Sequence, residues 1–343
     1  MWGRNPKLQI ANAHTGYDAW IQFIGDPHLG RVFKTGVPLG RLGHREEMQW
    51  DKFKELLNEP SDMTIIMGDL FDKFNVSGST ILRTATALSV AAAMDRGRKI
   101  VILKGNHDLS RDATKRSAFD LLTHIIREPN VLFVTQIETL EVCRQSYLFV
   151  PYDTFQTGEE YLSQWMDEQW DGKGFEAVFG HWDTEAIAGK TPHNMIPATQ
   201  LLSLTDKVFT GHIHKPEVKD MGFKLYGTGS MQAYAHGEDT EDEDPMYVTL
   251  PLDQIDLNSD YLVNKHVRVL LKQGEVLPEI NCLQLTKKYI LASGELDNLD
   301  VELIEFDMSK LLQETMIEEG VTDEEVIGDV TSSYHTLREE TVC

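Results

Sequence analysis

Short apolar runs recur along this chain, and most of them stop at a glycine. Trp20–Gly25, Met63–Met67, Lys99–Lys104, Val131–Val134, Tyr147–Val150, Ala177–Phe179, Lys207–Thr210 and Lys224–Tyr226 are short and rich in β-branched or aromatic residues, so they predict strands. Between the early ones the period changes. Met48, Phe53, Leu56 and Leu57 fall on one side of a helix near Arg45–Leu57. Thr80–Asp95 is an alanine-rich helical stretch stopped by Gly97, and Ser117–Ile126 predicts a third helix. Gly30–Gly43, with its glycines and Pro38, reads as a long loop. Strand and helix alternate in the first half and short strands dominate the second. This predicts a layered α/β core with functional loops at the strand C-termini. Met246–Leu250 reads as the last core strand, and from about Asp256 the composition shifts. His266–Leu271 and Tyr289–Ala292 suggest strands, Ser309–Glu319 a helix, and the end an acidic tail. The expected division is one domain over 1–255 and a small second domain over 256–343.

Five loops behind those strands carry the candidate chemistry. In order they are Gly25-Asp26-Pro27-His28, Gly68-Asp69-Leu70-Phe71-Asp72, Gly105-Asn106-His107-Asp108, Gly180-His181 and Gly211-His212-Ile213-His214. One such piece is common by chance; the ordered set, each behind an apolar run, is not. Together they supply the carboxylates, imidazoles and one amide carbonyl that two adjacent divalent cations need. Manganese and magnesium prefer oxygen ligands, and manganese also accepts imidazole. The absence of sulfur from the set argues against structural zinc. A carboxylate can bridge two cations roughly 3.5–4 Å apart, and such a pair polarises a phosphoryl oxygen and acidifies a bound water. Asp26 and His28 lie two apart, as do His212 and His214, so an extended backbone would aim each pair to one side.

A net charge of −23 argues against a general nucleic-acid-binding surface. Bound cations are outside that count, however, and would dominate the local field. The negative charge is also uneven, peaking in Glu238–Asp244 and again from Glu295 onward, and Glu238–Pro245 reads as an exposed acidic loop. Arg31, Lys34, Arg41 and Arg45 instead flank the first motif, and Arg111, Lys115 and Arg116 follow the third. These are either ordinary solvated surface or a strip that steers phosphate; their place beside the metal motifs favours the second. Cys143, Cys282 and Cys343 are scattered, so no disulfide framework is expected and a reducing cytoplasm is the natural setting. No window approaches the roughly 18 apolar residues of a membrane span. The polar N-terminal stretch lacks the apolar centre of a secretory signal.

The series D-x-H, GD-x-x-D, GNHD, GH and GHxH resembles the calcineurin-like metallophosphoesterases. Asp26-Pro27-His28-Leu29-Gly30, Gly68-Asp69-Leu70-Phe71-Asp72, Lys104-Gly105-Asn106-His107-Asp108, Val150-Pro151-Tyr152, Gly211-His212-Ile213-His214-Lys215 and Gly227-Thr228-Gly229-Ser230 resemble, more narrowly, the SbcD-type nucleases, over roughly residues 20–255. The resemblance implies a layered β-sandwich flanked by helices, followed by a small C-terminal α+β cap domain. It implies one metal held by Asp26, His28, Asp69 and His214, and a second held by Asp69, Asn106, His181 and His212, with Asp69 bridging. The implied cofactor is two Mn²⁺, with Mg²⁺ as the alternative. His107 is implied to lie beside the scissile phosphate as a catalytic group, with Asp108 orienting it and Asp72 supporting the first-motif ligands. Read without the family, Asp72 and Asp108 are also open to turn or cap chemistry. The implied substrate is DNA, with an SbcC-type coiled-coil ATPase as partner and a homodimer built on the helices near Thr80–Asp95 and Ser117–Ile126. The rivals are a small-molecule phosphodiesterase or phosphomonoesterase, and a catalytically silent scaffold. Three features depart from the family: the segment ahead of the first motif, Trp182-Asp183 after the fourth, and the short acidic tail. Trp182 is open to stacking on a base or simple packing. His14, His44, His124, His193, His236, His266 and His335 fall in no ligand spacing and read as surface or core.

Overall fold

The computed structural model describes residues 4–10, 19–110, 112, 114–184, 194–257 and 259–290. Met1–Tyr289 form one compact unit and Ile290–Cys343 a second. The expected helix Ser309–Glu319 and the acidic tail lie outside the described residues.

The first sheet joins, in spatial order, β1 (Lys7–Ile10), β2 (Ala19–Ile24), β3 (Met63–Ile66), β4 (Lys99–Leu103) and β5 (Val131–Val134). β1 runs antiparallel to β2, and the other neighbours are parallel. Parallel neighbours need crossovers. These contain α1 (His44–Asn58), α2 (Gly78–Met94) and α3 (Ala118–Ile125). The Ser77 hydroxyl caps α2 by accepting from Thr80 N–H, and Ser117 and Asp120 close a capping box on α3. The second sheet runs β10 (Glu217–Asp220), β11 (Lys224–Gly227), β9 (Lys207–Thr210), β8 (Ala177–Gly180), β7 (Gln145–Val150) and β6 (Glu138–Val142). Its helices are α4 (Gly158–Gln169) and α5 (Ala198–Leu204).

Strand alternation decides the layers. Ile21, Phe23, Ile65, Val101 and Leu103 face one way and meet Tyr147, Phe149, Phe179 and Phe209 of the second sheet. Phe23 stacks on Phe209 at 4.8 Å between ring centres. The opposite face, with Ile24, Ile66, Ile100 and Ile102, packs on Trp50, Phe53, Leu88 and Phe119 of α1, α2 and α3. Leu148, Val178, Val208 and Leu225 cover the far side against Leu162, Trp165 and Leu201. The fold is thus a β-sandwich between helices, as expected. Burying one such Phe or Leu contributes roughly 1.5–3 kcal/mol.

A third, parallel sheet contains β12 (Tyr247–Pro251), β13 (His266–Leu271) and β14 (Gln284–Tyr289). One expectation is corrected here. The strand read at Met246–Leu250 does not close the main core, because β13 pairs with it along its length. A strand is present at Gln284–Tyr289, and the end of the one read at Tyr289–Ala292 lies outside the described residues. The pattern missed β6 and β10, edge strands whose Glu and Lys residues hide the apolar alternation. Buried Arg45 ties the third sheet to the rest, donating from Nε to His266 Nε2 at 2.9 Å, from NH1 to Gln232 Oε1 at 2.7 Å and from NH2 to the Ala233 carbonyl at 3.0 Å.

Candidate metal centre

The C-terminal ends of β2, β3, β4, β8 and β9 bring all five motifs together. Three sets of potential ligand atoms lie within 4.8 Å of one another: Asp26, His28 and His214; His28, Asp69 and His107; Asp69, His181 and His212. Asp69 sits between the sets. Its Oδ2 is 3.9 Å from His28 Nε2 and 4.0 Å from His107 Nε2, while its Oδ1 is 3.4 Å from His181 Nε2. Asn106 joins the third set, its Oδ1 lying 3.0 Å from His181 Nε2 and 2.9 Å from His212 Nδ1. On the other side His28 Nε2 and His214 Nε2 face each other at 3.1 Å.

The backbone pays for this convergence. His28, Asp69 and His212 have φ of 47°, 45° and 69°, the left-handed region, which costs non-glycine residues roughly 1–2 kcal/mol each. The extended reading of Asp26-Pro27-His28 is therefore corrected: a left-handed turn at His28, not strand alternation, places its ring. Gly68, at φ 106°, must be glycine, since a Cβ there would lie 2.1 Å from His181 Nδ1. A Cβ at Gly105 would lie 2.2 Å from Asp69 Oδ1.

The donor set fits divalent cations. Asp26 is fully buried, and neither of its oxygens has a hydrogen-bond partner on another described residue. Burial pushes its carboxyl up to about 6 against the pull of His181. Burial would also raise Asp69, but His181, His28 and His107 hold it well below the usual carboxylate range. Burial would lower His181, yet Asp69 and Asp26 carry it up to about 10. Its Nδ1–H donates to the Met67 carbonyl at 2.8 Å, so Nε2 is the atom aimed at Asp69 and Asn106. Burial keeps His28 well below its ordinary value, and burial with His181 brings His212 down to about 4, so both rings are held neutral, the form that binds metal. Buried carboxylates and imidazoles facing one another at these distances are costly unless a cation joins them.

A surrounding layer holds these groups. Glu238 Oε1 lies 3.1 Å from His214 Nδ1, and Asp183 Oδ2 lies 3.6 Å from His212 Nε2, so each histidine of the last motif has a carboxylate beside it. Sequence reading missed both. Asp183 stood two places after His181, a spacing that could have flagged it; nothing local marked Glu238. The loop read as exposed is so only in part: Asp239 is buried and accepts from Met246 and Tyr247 N–H at 2.6 and 3.0 Å. Gln49 Nε2 donates to the Pro27 and His28 carbonyls at 2.8 and 2.9 Å. Arg4, in the segment ahead of the first motif, donates from NH1 to the His214 carbonyl at 3.0 Å and from NH2 to the Glu238 carbonyl at 2.5 Å.

The remaining expected residues divide. Asp72 Oδ1 lies 3.9 Å from His28 Nδ1, beside the first-motif ligand. Asp108 does not orient His107, whose Nδ1 instead lies 2.6 Å from the Asp72 carbonyl. The Asp108 carboxylate is wholly buried and accepts from Leu70, Phe71 and Gly105 N–H at 3.2, 3.0 and 3.0 Å, tying the second motif to the third. Of the basic residues, Arg31 reaches Asp72 Oδ1 at 3.8 Å, Arg41 donates to Asn281 Oδ1 at 3.1 Å, and Lys115 pairs with Asp112 at 3.3 Å. Lys34 and Arg116 are exposed, and Arg111 lies outside the described residues. Trp182 is buried among Leu148, Val178 and Leu201, which settles it as a packing residue.

A β-sandwich that pools carboxylates and histidines at its strand ends defines a metal-dependent hydrolase. The chain belongs to the calcineurin-like phosphoesterase family, whose model matches residues 19–216, so the chemistry is metal-dependent phosphoester hydrolysis. Among solved structures it is similar to the Pseudomonas putida nuclease MPE, at 16% identity over 66% of this chain and 87% of that one, with a TM-score of 0.28. It is also similar to the protein of unknown function AQ665 from Aquifex aeolicus, at 14% identity over 52% and 88%, with a TM-score of 0.24. No curated protein matches it. Among the described residues no helix is long and apolar enough to cross a membrane.

Proposed function

We propose that this chain is a manganese-dependent DNA exonuclease and endonuclease subunit of SbcD type, which cuts phosphodiester bonds with two metal ions. The observation that carries the reading is Asp69, a buried carboxylate with one oxygen toward each ligand set. Asp26, His28 and His214 would complete one site, and Asn106, His181 and His212 the other. When bound, the pair would polarise the phosphoryl oxygen and acidify water. The protein's own part is to hold that geometry and to place His107, whose side chain is 43% exposed, at the open side. There it can donate a proton to the departing oxygen.

An SbcC-type ATPase as partner and a homodimer belong to the same reading. An apolar stripe supports the dimer: Leu82, Val90 and Met94 of α2 and Leu121 and Ile125 of α3 are exposed. The test is Mn²⁺-dependent release of nucleotides from linear duplex DNA, beside p-nitrophenyl phosphate mono- and diesters. Hydrolysis of the small esters without any of DNA would replace this reading with a small-molecule esterase. No hydrolysis of either would leave a silent scaffold.

A further inference from the structure

Beside the first ligand set a groove of about 630 Å³ opens between the loop after His28, α1 and the start of α2. That volume suits a small organic group. Two of its lining residues belong to the frame of the metal centre. Asp72 stands 3.9 Å from His28 Nδ1, and Gln49 holds the His28 carbonyl at 2.9 Å. The groove therefore borders the side chains that pack around His28. Its wall is mixed, apolar at Trp50 and polar at Asn75, and two cations reach it, Arg31 and Lys73. They are not equivalent. Arg31 lies 3.8 Å from Asp72 Oδ1 and 4.9 Å above the Tyr234 ring, so its position is set by the centre. Lys73 follows Asp72 in sequence and is exposed on the α2 side.

We infer that this groove receives the nucleoside next to the scissile phosphodiester, and that Lys73 takes the phosphate one nucleoside further along. The favoured substrate is then a polynucleotide rather than an isolated diester. This rests on the phosphodiesterase reading above and adds a subsite to it. A compact ammonium suits the role, because it meets a phosphate without fixing its rotation. A partly apolar slot beside it suits a base of any identity.

The test uses the full chain loaded with Mn²⁺ and two calorimetric probes, thymidine 5′-monophosphate and thymidine 3′,5′-bisphosphate. The unaltered protein should bind the bisphosphate about tenfold more tightly, the scale of one added charged contact. Lys73→Glu should abolish that preference while leaving the monophosphate affinity within about twofold. Asn75→Trp, which fills the groove, should weaken both probes by about tenfold. Lys73→Glu should leave kcat and KM for bis(p-nitrophenyl) phosphate unchanged, because that ester carries no second phosphate. Equal affinity of the unaltered protein for both probes, or an undiminished preference in Lys73→Glu, overturns the subsite. If the unaltered protein hydrolyses no diester, the phosphodiesterase reading falls separately, and the affinity ratio still judges the groove.

Discussion

Arg4→Ala removes a side chain that the metal centre uses from a distance of more than two hundred residues in sequence. NH1 donates to the His214 carbonyl at 3.0 Å, to the Ser230 carbonyl at 3.2 Å and to Ser230 Oγ at 2.9 Å, and NH2 donates to the Glu238 carbonyl at 2.5 Å. Not all of these acceptors are orphaned by the change. The His214 carbonyl keeps the Ser230 N–H at 3.1 Å, and Ser230 Oγ keeps its bond to the Gln232 carbonyl at 2.7 Å. The carbonyls of Ser230 and Glu238 lose the donor that the described residues give them. Each charged hydrogen bond of this kind contributes roughly 1.5–3 kcal/mol, and water at the partly buried rim recovers some of it. The expected loss is therefore about 2–4 kcal/mol, read by urea unfolding of the metal-free protein. A local effect should accompany it. Glu238 Oε2 keeps the Tyr234 N–H at 2.7 Å, but with the Glu238 carbonyl freed its hold on the His214 ring loosens, so Mn²⁺ affinity at the site of Asp26, His28 and His214 should fall, by up to about tenfold. The site of Asn106, His181 and His212 should be unchanged in the same calorimetric titration. A stability change under about 0.5 kcal/mol with both affinities intact would refute the anchoring role.

Asp69→Ala should abolish hydrolysis and weaken both cation sites while the far-ultraviolet spectrum is retained; two full-strength Mn²⁺ sites by calorimetry would defeat the bridging assignment. His107→Ala should keep both metals and lose about 10²-fold or more in rate. If metal occupancy falls with the rate, the His28, Asp69, His107 grouping is a ligand set and His107 is no proton donor. Burial, reinforced by Arg45, brings His266 down to about 4, so the fold holds it neutral while the unfolded chain takes up a proton below its ordinary value of 6.5. Stability present above that value should be lost as pH falls toward about 4, by about 2 kcal/mol between pH 6.5 and pH 5. His266→Gln should flatten that slope in urea melts, and an unaltered slope would show that other groups set it.

The sandwich and its ligands were legible because each is a local event. A short apolar run rich in β-branched residues is most simply buried as a strand, and a glycine at its end lets a ligand approach where a Cβ would collide, as at Gly68 against His181. Asp26, His28, Asp69, Asn106, His181, His212 and His214 could therefore be marked from the ordered set of motifs, though from no single one of them. The pairing of strands could not. β12 looks like any core strand, and only its register with β13 shows which sheet holds it. The same limit hid the residues that hold the ligands. Glu238 meets His214, Asp183 meets His212, and Arg4 meets the loop of the last motif because folded segments place them there. Asp108 shows both halves at once. Its place beside His107 was plain in sequence, yet its carboxylate turns inward to three backbone N–H groups that only the packed loops bring within reach. Residue type and spacing decide which atoms can bind a cation. Which neighbour fixes each ring depends on contacts between distant segments, and these exist only once the two sheets have closed on each other.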